Sequence, residues 1–575
     1  MFVLGINAYH ADSSAAIFKD GEMIAATEEE RFRRIKHWAG FPSLAVEFCL
    51  KEAGITLNEV EHIAIGRDVN AKKIQKLKFV MQHPFSSLHF VKNRFFNQKK
   101  VASIEEELSL LSGIDASIIK PKIYNVEHHR SHMASAFYAS PYNEAAILSI
   151  DGSGDFSTTM IGVGKGTEIK ILNSIDFPHS LGIFYTAFTQ LLGFPHYGDE
   201  YKVMGLAPYG KPLYADKLKK IIKFTNDGLF QLDLSYFRSP SKGFVTYGEN
   251  NLPIVPSLFG KKLIAEFGNE RTKEEPLTQY HKDLAASVQK ITEETIFHIL
   301  NHLQKQTGLT KVCIAGGVAQ NSVANGKITR NTNFKEVYIP SAGHDAGISM
   351  GSALYAYHQI LKQHRTVAVY SAYTGSKFSN NEIEILLQSK NIKYKKIEEN
   401  ELYDYVSEKL INAGVVGWFN GRAEFGPRAL GARSILADPR RNDAKDLLNA
   451  KIKRRESFRP FAPSILKEYV DEYFEVNDIV PFMEKVFPIK KEKYAVIPAV
   501  THADGTGRLQ TVDKSVSPRY YKLIETFGSK TGVPILLNTS FNENEPIVNS
   551  PEEALNCFLR TNMDMLVMEN IVVER

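Results

Sequence analysis

Short apolar runs alternate along this chain with longer amphipathic stretches, the pattern of an α/β protein. Val3–Asn7 reads as a buried strand. After a polar turn from His10 to Ser14, Ala15–Phe18 and Glu22–Thr27 read as a hairpin around Lys19, Asp20 and Gly21. The same order returns later. Ala145–Ile150 is apolar, Asp151 to Asp155 reads as its polar turn, and Thr158–Val163 and Glu168–Ile175 flank a second hairpin. Leu4-Gly-Ile-Asn7 thereby matches Leu148-Ser-Ile-Asp151, which predicts a duplicated α/β half.

Leu284–Lys305 has the period of a long amphipathic helix, and Val312–Ile314 reads as a strand entering Gly316 and Gly317. The basic stretch Lys72–Lys100, with Phe79, Phe85, Phe90, Phe95 and Phe96, reads as a helical insertion with a buried aromatic face. A segment rich in Ser, Tyr, Gly and Asn from Thr366 to Asn381 marks a boundary between domains at 1–365 and 366–575. Beyond it come a helix (Tyr403–Asn412), a strand (Val415–Phe419), a second strand (Val533–Leu537) and a helix near Glu552–Arg560.

Composition narrows the class. The 575 residues exceed a single domain of about 100–200 residues. A net charge of +5 is too small over this length to point to nucleic acid. Cys49, Cys313 and Cys557 have no C-x-x-C spacing, which excludes a disulfide scaffold and a cysteine zinc site and fits a reducing, cytoplasmic setting. No run reaches the roughly 18 apolar residues of a membrane span, and the N-terminus lacks a secretory signal pattern.

Candidate chemistry falls in five places. His128 and His132 are four apart, so one helix would present both imidazoles to one metal ion; an oxygen ligand must come from elsewhere. Asp345, between a strand (Val337–Ile339) and a small-residue helix start, is the choice for that ligand. In Asp151-Gly152-Ser-Gly154-Asp155 the glycines let backbone N–H groups approach phosphate, and Asp151 can hold a metal or metal-bound water. Gly316, Gly317 and Asn321 follow a strand and would let a nucleotide lie against the backbone. In the second domain Gly421–Ser434, Lys453–Phe461, Arg508–Thr511 and Asn538–Asn542 bring several guanidiniums and a hydroxyl, which suit a small phosphate because guanidinium binds phosphate oxygens bidentately. Arg440 to Arg455 reads otherwise as a solvated basic face.

Together these motifs resemble the O-carbamoyltransferases of the nodulation-factor, cephem and tobramycin type over essentially the whole chain. The marks are Gly5-Ile-Asn-Ala-Tyr-His10-Ala-Asp-Ser-Ser, Glu28-Glu-Glu-Arg31-Phe, Lys36-His37, the His128–His132 pair, Glu200-Tyr-Lys-Val-Met-Gly-Leu-Ala-Pro-Tyr-Gly210, the Gly316–Asn321 loop, Asp345 and Gly426-Pro-Arg-Ala-Leu-Gly431. The resemblance implies a duplicated actin/sugar-kinase-like domain, similar to that of the threonylcarbamoyl-tRNA enzyme, followed by an α+β YrdC-like domain. It implies ATP and a divalent metal, iron(II) first and magnesium second, held by His128, His132 and Asp345 with Asp151 nearby. His10 and Lys36 carry over as first-domain site residues, His10 ranks ahead of Asp151 as the base, and the carbamoyl phosphate site carries over to Arg428, Lys453, Arg459, Arg508 and Ser540. Carbamoyl phosphate and a small hydroxylated acceptor are the implied partners, with no nucleic acid or membrane and a homodimer compatible. A tRNA-modifying ligase would want a stronger basic surface. A non-catalytic ATP-binding regulator would have no need of the second arginine set.

Overall fold

In the computed structural model, which describes residues 1–82, 104–248 and 250–575, the chain forms two units, Met1–Val369 and Tyr370–Arg575. Strand Phe2–Asn7 is central in a five-stranded sheet of order Glu22–Glu28, Ser14–Lys19, Phe2–Asn7, His62–Ile65, Ile123–Asn125. A second five-stranded sheet repeats that order around Glu144–Gly154, with Ser157–Lys165 and Glu168–Asp176 antiparallel on one side and Lys311–Ala315 and Glu336–Tyr338 parallel on the other. The short internal match at Asn7 and Asp151 therefore marks a whole duplicated topology. Each half ends in a helix, His128–Phe137 after the first sheet and Gly347–Tyr355 after the second.

These two helices approach closely because small residues face each other. A Cβ on Gly351 would stand 1.9 Å from the Ser131 carbonyl, and one on Gly5 would stand 1.9 Å from that of Ser349. Opposite, helix Ser43–Ala53 buries Ala45, Val46 and Cys49 against Leu4, Ile6 and Ile17. The long helix expected over Leu284–Lys305 spans Gln279–Thr307.

One turn differs from expectation. Asp151–Gly154 stays in the strand, with a register break between Ile150 and Gly154, and the turn itself is Asp155-Phe156. Both residues have positive φ, 48° and 81°, as a two-residue hairpin whose twist matches its strands requires. Neither residue is a glycine, so composition gave no sign of it.

Helix Lys73–Gln82 buries Phe79 against Phe156 and Phe177. Phe85, Phe90, Phe95 and Phe96 lie outside the described residues.

The second unit is built on a nine-stranded mixed sheet. Its strands alternate faces. Trp418, Leu436 and Leu536 pack with helices Glu399–Ile411 and Pro518–Thr531. Phe419, Ile435 and Leu537 pack with helices Asn380–Ser389 and Pro551–Arg560. Among the described residues no helix is long and apolar enough to cross a membrane.

Candidate metal centre and anion site

Helix His128–Phe137 starts where Glu127 caps Arg130 N–H, and its first turns carry His128 and His132 at the expected spacing. Asp155 fixes the same start, because its Oδ2 accepts N–H from His128 at 3.0 Å and from Asp68 at 2.7 Å. The imidazoles meet the two carboxylates of the second half. His128 Nε2 lies 3.1 Å from Asp151 Oδ2, and His132 Nε2 lies 3.4 Å from Asp151 Oδ2 and 3.3 Å from Asp345 Oδ1. All four side chains are buried, and one donor atom from each falls within 4.8 Å of the others.

The donor set fits a divalent first-row ion. His132 Nε2 and Asp345 Oδ1 are buried without a hydrogen bond, although they face each other. Two imidazoles and two carboxylates with such open lone pairs are the chemistry of a cation site. Asp151 is oriented for it, since its Oδ1 accepts N–H from Gly152 and Gly317 at 2.7 and 3.1 Å and leaves Oδ2 to the histidines. Charge follows the same layout. Burial works against Asp345, but His10 and His132 hold its carboxyl well below the usual range. Burial works against His132 too, but Asp151 and Asp345 hold it up at about 9. His128 is lowered, burial outweighing its bond to Asp151.

His10 adjoins this centre. Its Nδ1 is 2.9 Å from Asp345 Oδ2, and its ring centroid is 4.9 Å from that of His128. Arg67 and Tyr197, which the sequence did not single out, frame it. Arg67 donates to the Tyr9 carbonyl at 2.8 Å, and Tyr197 OH stands 3.4 Å from Asp345 Oδ2. Tyr197 also meets His37 edge-on at 5.1 Å. Lys36 is exposed on the same segment as His37, whose Nδ1 pairs with Asp12 Oδ1 at 2.8 Å.

The glycines read as nucleotide contacts each have a use inside the chain. A Cβ on Gly154 would fall 2.1 Å from the His128 ring, and on Gly152 2.2 Å from Phe244. On Gly317 it would fall 2.6 Å from Asp151 Oδ1, and on Gly316 2.1 Å from the Ile150 carbonyl. Asn321 caps Ala324 N–H and exchanges amide hydrogen bonds with Gln289.

In the second unit, strand Thr506–Val512 carries Arg508 into a cluster of cations. Burial, and then the charges of Arg428, Arg455 and Arg459, push Arg508 well below the ordinary guanidinium value. Arg459 Nη1 lies 3.6 Å from Glu456 Oε2, and positive charge concentrated in this way attracts an anion. Arg455 was assigned to a solvated basic face; it is half-buried, bonds Asn449 Oδ1 and lies over the Phe461 ring. His502 belongs to the same cluster: burial, outweighing Asp504, and then Arg508 and Lys445 lower it to about 4. Lys453 is 1% exposed, and its ammonium bonds Asn542 Oδ1 and carbonyl at 2.7 and 2.8 Å and the Ser540 carbonyl at 2.5 Å. It therefore shapes the turn that presents Ser540.

Residues 2–354 match the family described as carbamoyltransferase N-terminus, and residues 407–575 match carbamoyltransferase C-terminus. Nodulation protein NolNO of Sinorhizobium fredii is 36% identical, covering 99% of this chain and 80% of its own length. Nodulation protein NolO of Bradyrhizobium diazoefficiens is 39% identical, covering 78% and 79%. Nodulation protein U of the same organism is 26% identical, covering 94% and 91%. With both family regions present in order, the chain belongs to the carbamoyltransferases.

Proposed function

We propose that the chain is an ATP-dependent O-carbamoyltransferase acting on a small hydroxylated acceptor. The observation that carries this reading is the gathering of Arg428, Arg455 and Arg459 about half-buried Arg508, which suits the dianion of carbamoyl phosphate. In this reading Tyr370–Arg575 is a YrdC-like unit in which Arg428, Arg459, Arg508 and Ser540 hold carbamoyl phosphate. Water cleaves it to carbamate and phosphate. A carbamate oxygen then attacks the α-phosphorus of ATP, forming carbamoyl adenylate and releasing pyrophosphate.

Met1–Val369, read as an actin/sugar-kinase-like nucleotide-binding unit, completes the transfer. The acceptor oxygen attacks the carbamoyl carbon, AMP leaves, and His10 takes the hydroxyl proton. Asp345 Oδ2 stands 2.9 Å from His10 Nδ1 as an anionic neighbour, which leaves Nε2 for that proton. His128, His132, Asp151 and Asp345 would hold a divalent ion, iron(II) by the resemblance, whose positive charge favours anionic groups beside it. Three buried cysteines, none in a disulfide, suit a cytoplasmic enzyme.

The test supplies the purified chain with carbamoyl phosphate and ATP and measures pyrophosphate, with Arg508→Ala in parallel. Pyrophosphate release that needs both substrates and is lost in the variant is the expected result. Release without carbamoyl phosphate, or none from the parent chain, rejects the reading.

A further inference from the structure

A buried amide in the second unit has one half fully committed and the other half open. Asn538 is 1% exposed on strand Ile535–Ser540. Its Nδ2 donates to three oxygens, each at 3.1 Å: the Ala429 carbonyl, Ser464 Oγ and Gln510 Oε1. Ser464 donates its own proton to Gln510 Oε1, so all three oxygens act as acceptors toward Asn538. That fixes which end of the amide is nitrogen. Oδ1 on the other side has no hydrogen-bond partner among the described residues. A buried carbonyl oxygen left in this way costs stability unless a donor reaches it.

The surroundings say where a donor would come from. Leu536, Asn538 and Ser540 alternate onto one face of their strand, and Val512, Gln510 and Arg508 onto one face of theirs. Leu536 and Val512 lie in the same apolar cluster, so both polar ends continue the same face of the sheet. The third acceptor, the Ala429 carbonyl, belongs to the residue after Arg428. That loop is held on its other side by Glu424, whose Oε1 accepts N–H from Leu430, Ala432 and Arg433 at 2.7, 2.8 and 3.2 Å. Gln510 Nε2 and Tyr373 OH donate to the Leu430 carbonyl at 2.7 and 2.8 Å. Asn538 is thus rigidly oriented, on the sheet face that Ser540 and Arg508 continue and bonded to the residue that follows Arg428.

We propose that Asn538 determines specificity in this site: its Oδ1 accepts an N–H from the carbamoyl group of the bound acyl phosphate. The inference rests on the reading of the arginine cluster as the carbamoyl phosphate site. The cations recognise the phosphate, which any acyl phosphate offers. Asn538 reads the amino group, which acetyl phosphate replaces with a methyl. A methyl there leaves Oδ1 unpaired and dry, the circumstance in which a site rejects an isostere most strongly.

Calorimetry on the full chain with carbamoyl phosphate, acetyl phosphate and inorganic phosphate tests this. The parent should prefer carbamoyl over acetyl phosphate by about 10- to 100-fold. Asn538→Leu should bring that ratio near one. Asn538→Asp, which keeps an acceptor, should retain the preference even if both affinities fall. A ratio is insensitive to a loosened site, which weakens both ligands together. A parent ratio near one overturns the proposal whether or not the variants fold, and so does a parental ratio in Asn538→Leu. Arg508→Ala separates the two levels: if it binds all three anions as the parent does, the anion-site reading falls rather than the role of Asn538.

Discussion

The carboxylate of Asp345 serves two histidines at once, with Oδ2 2.9 Å from His10 Nδ1 and Oδ1 3.3 Å from His132 Nε2. His132 comes from the helix that closes the first half, and Asp345 from the segment that opens the helix closing the second. The duplicated fold thus brings a base candidate and a candidate cation site onto one side chain. Asn7, which corresponds to Asp151 in the other half, donates its amide to the carbonyls of Ala11, Asp12 and Asp345 and ties the His10 turn to the same point.

Removing one donor should therefore empty the cation site. His132→Ala is expected to lose bound metal and most carbamoyl transfer while keeping a cooperative unfolding transition, since alanine continues the helix. Elemental analysis of the purified variant decides it, and full metal occupancy would reject the assignment. Asp345→Asn should lose metal too, and should in addition free His10 from its anionic partner.

Gly154 offers a sharper probe of the same site. Its missing Cβ is the space filled by the His128 ring, 2.1 Å from where that atom would lie. Gly154→Ala should displace the imidazole and lower metal content before it affects nucleotide binding. If metal is retained while ATP no longer protects the chain from heat, the glycine serves the nucleotide instead.

The pair formed by His37 and Asp12 predicts a pH dependence of stability. Burial pulls His37 down, but Asp12 and Glu30 raise it to about 9; burial pushes Asp12 up, but His37 lowers it below its usual value. The raised imidazole contributes stability that is fully present below its unfolded value near 6.5 and lost as pH rises through about 9. The lowered carboxyl contributes stability present above its unfolded value and lost in acid. Tyr197, Lys36 and Glu200 also face this pair. Asp12→Asn should consequently lower the melting temperature most near neutral pH, with the gap to the parent closing toward pH about 10. A gap constant from neutral to alkaline pH would show that the pair carries no linked proton.

Much of this was legible from periodicity. Two histidines four apart can share a helical face, and a carboxylate between a strand and a helix can be aimed across a duplicated fold; the structure brings His128, His132 and Asp345 together with Asp151. The repeat of Leu4–Asn7 at Leu148–Asp151 was enough to anticipate two sheets of one topology. Other features depend on contacts between distant segments. Asp155 and Phe156 take left-handed backbone in a position where neither residue advertises it. Arg455 and exposed Arg454 are neighbours in one basic run, and nothing local says which turns inward. Tyr197 and Arg67 reach the His10 site from far along the chain, without a motif of their own.

The last prediction separates two cations that look alike in sequence. Lys453 and Arg459 are both expected to serve carbamoyl phosphate, yet they are placed differently. The Lys453 ammonium is committed to Ser540 and Asn542 in charge-assisted bonds, the one to the Asn542 carbonyl at 2.8 Å being that acceptor's side-chain partner in a buried turn. Lys453→Met should therefore cost about 2–3 kcal/mol of stability as well as adenylate formation. Arg459 is one of three guanidiniums whose charge bears on Arg508. Its removal relieves repulsion on Arg508 and gives up a long, partly exposed pair with Glu456 at 3.6 Å, so Arg459→Ala should change the denaturation midpoint little. It should instead weaken carbamoyl phosphate by about 2–5 kcal/mol, the cost of truncating one partner of a desolvated charge pair. Both variants should still transfer a carbamoyl group from carbamoyl adenylate supplied ready-made, because His10 and its neighbours lie in the other unit. Urea titration, a pyrophosphate assay and a transfer assay with the supplied intermediate distinguish the cases. If Arg459→Ala loses both half-reactions while its unfolding midpoint is unchanged, the division of chemistry between two units is wrong.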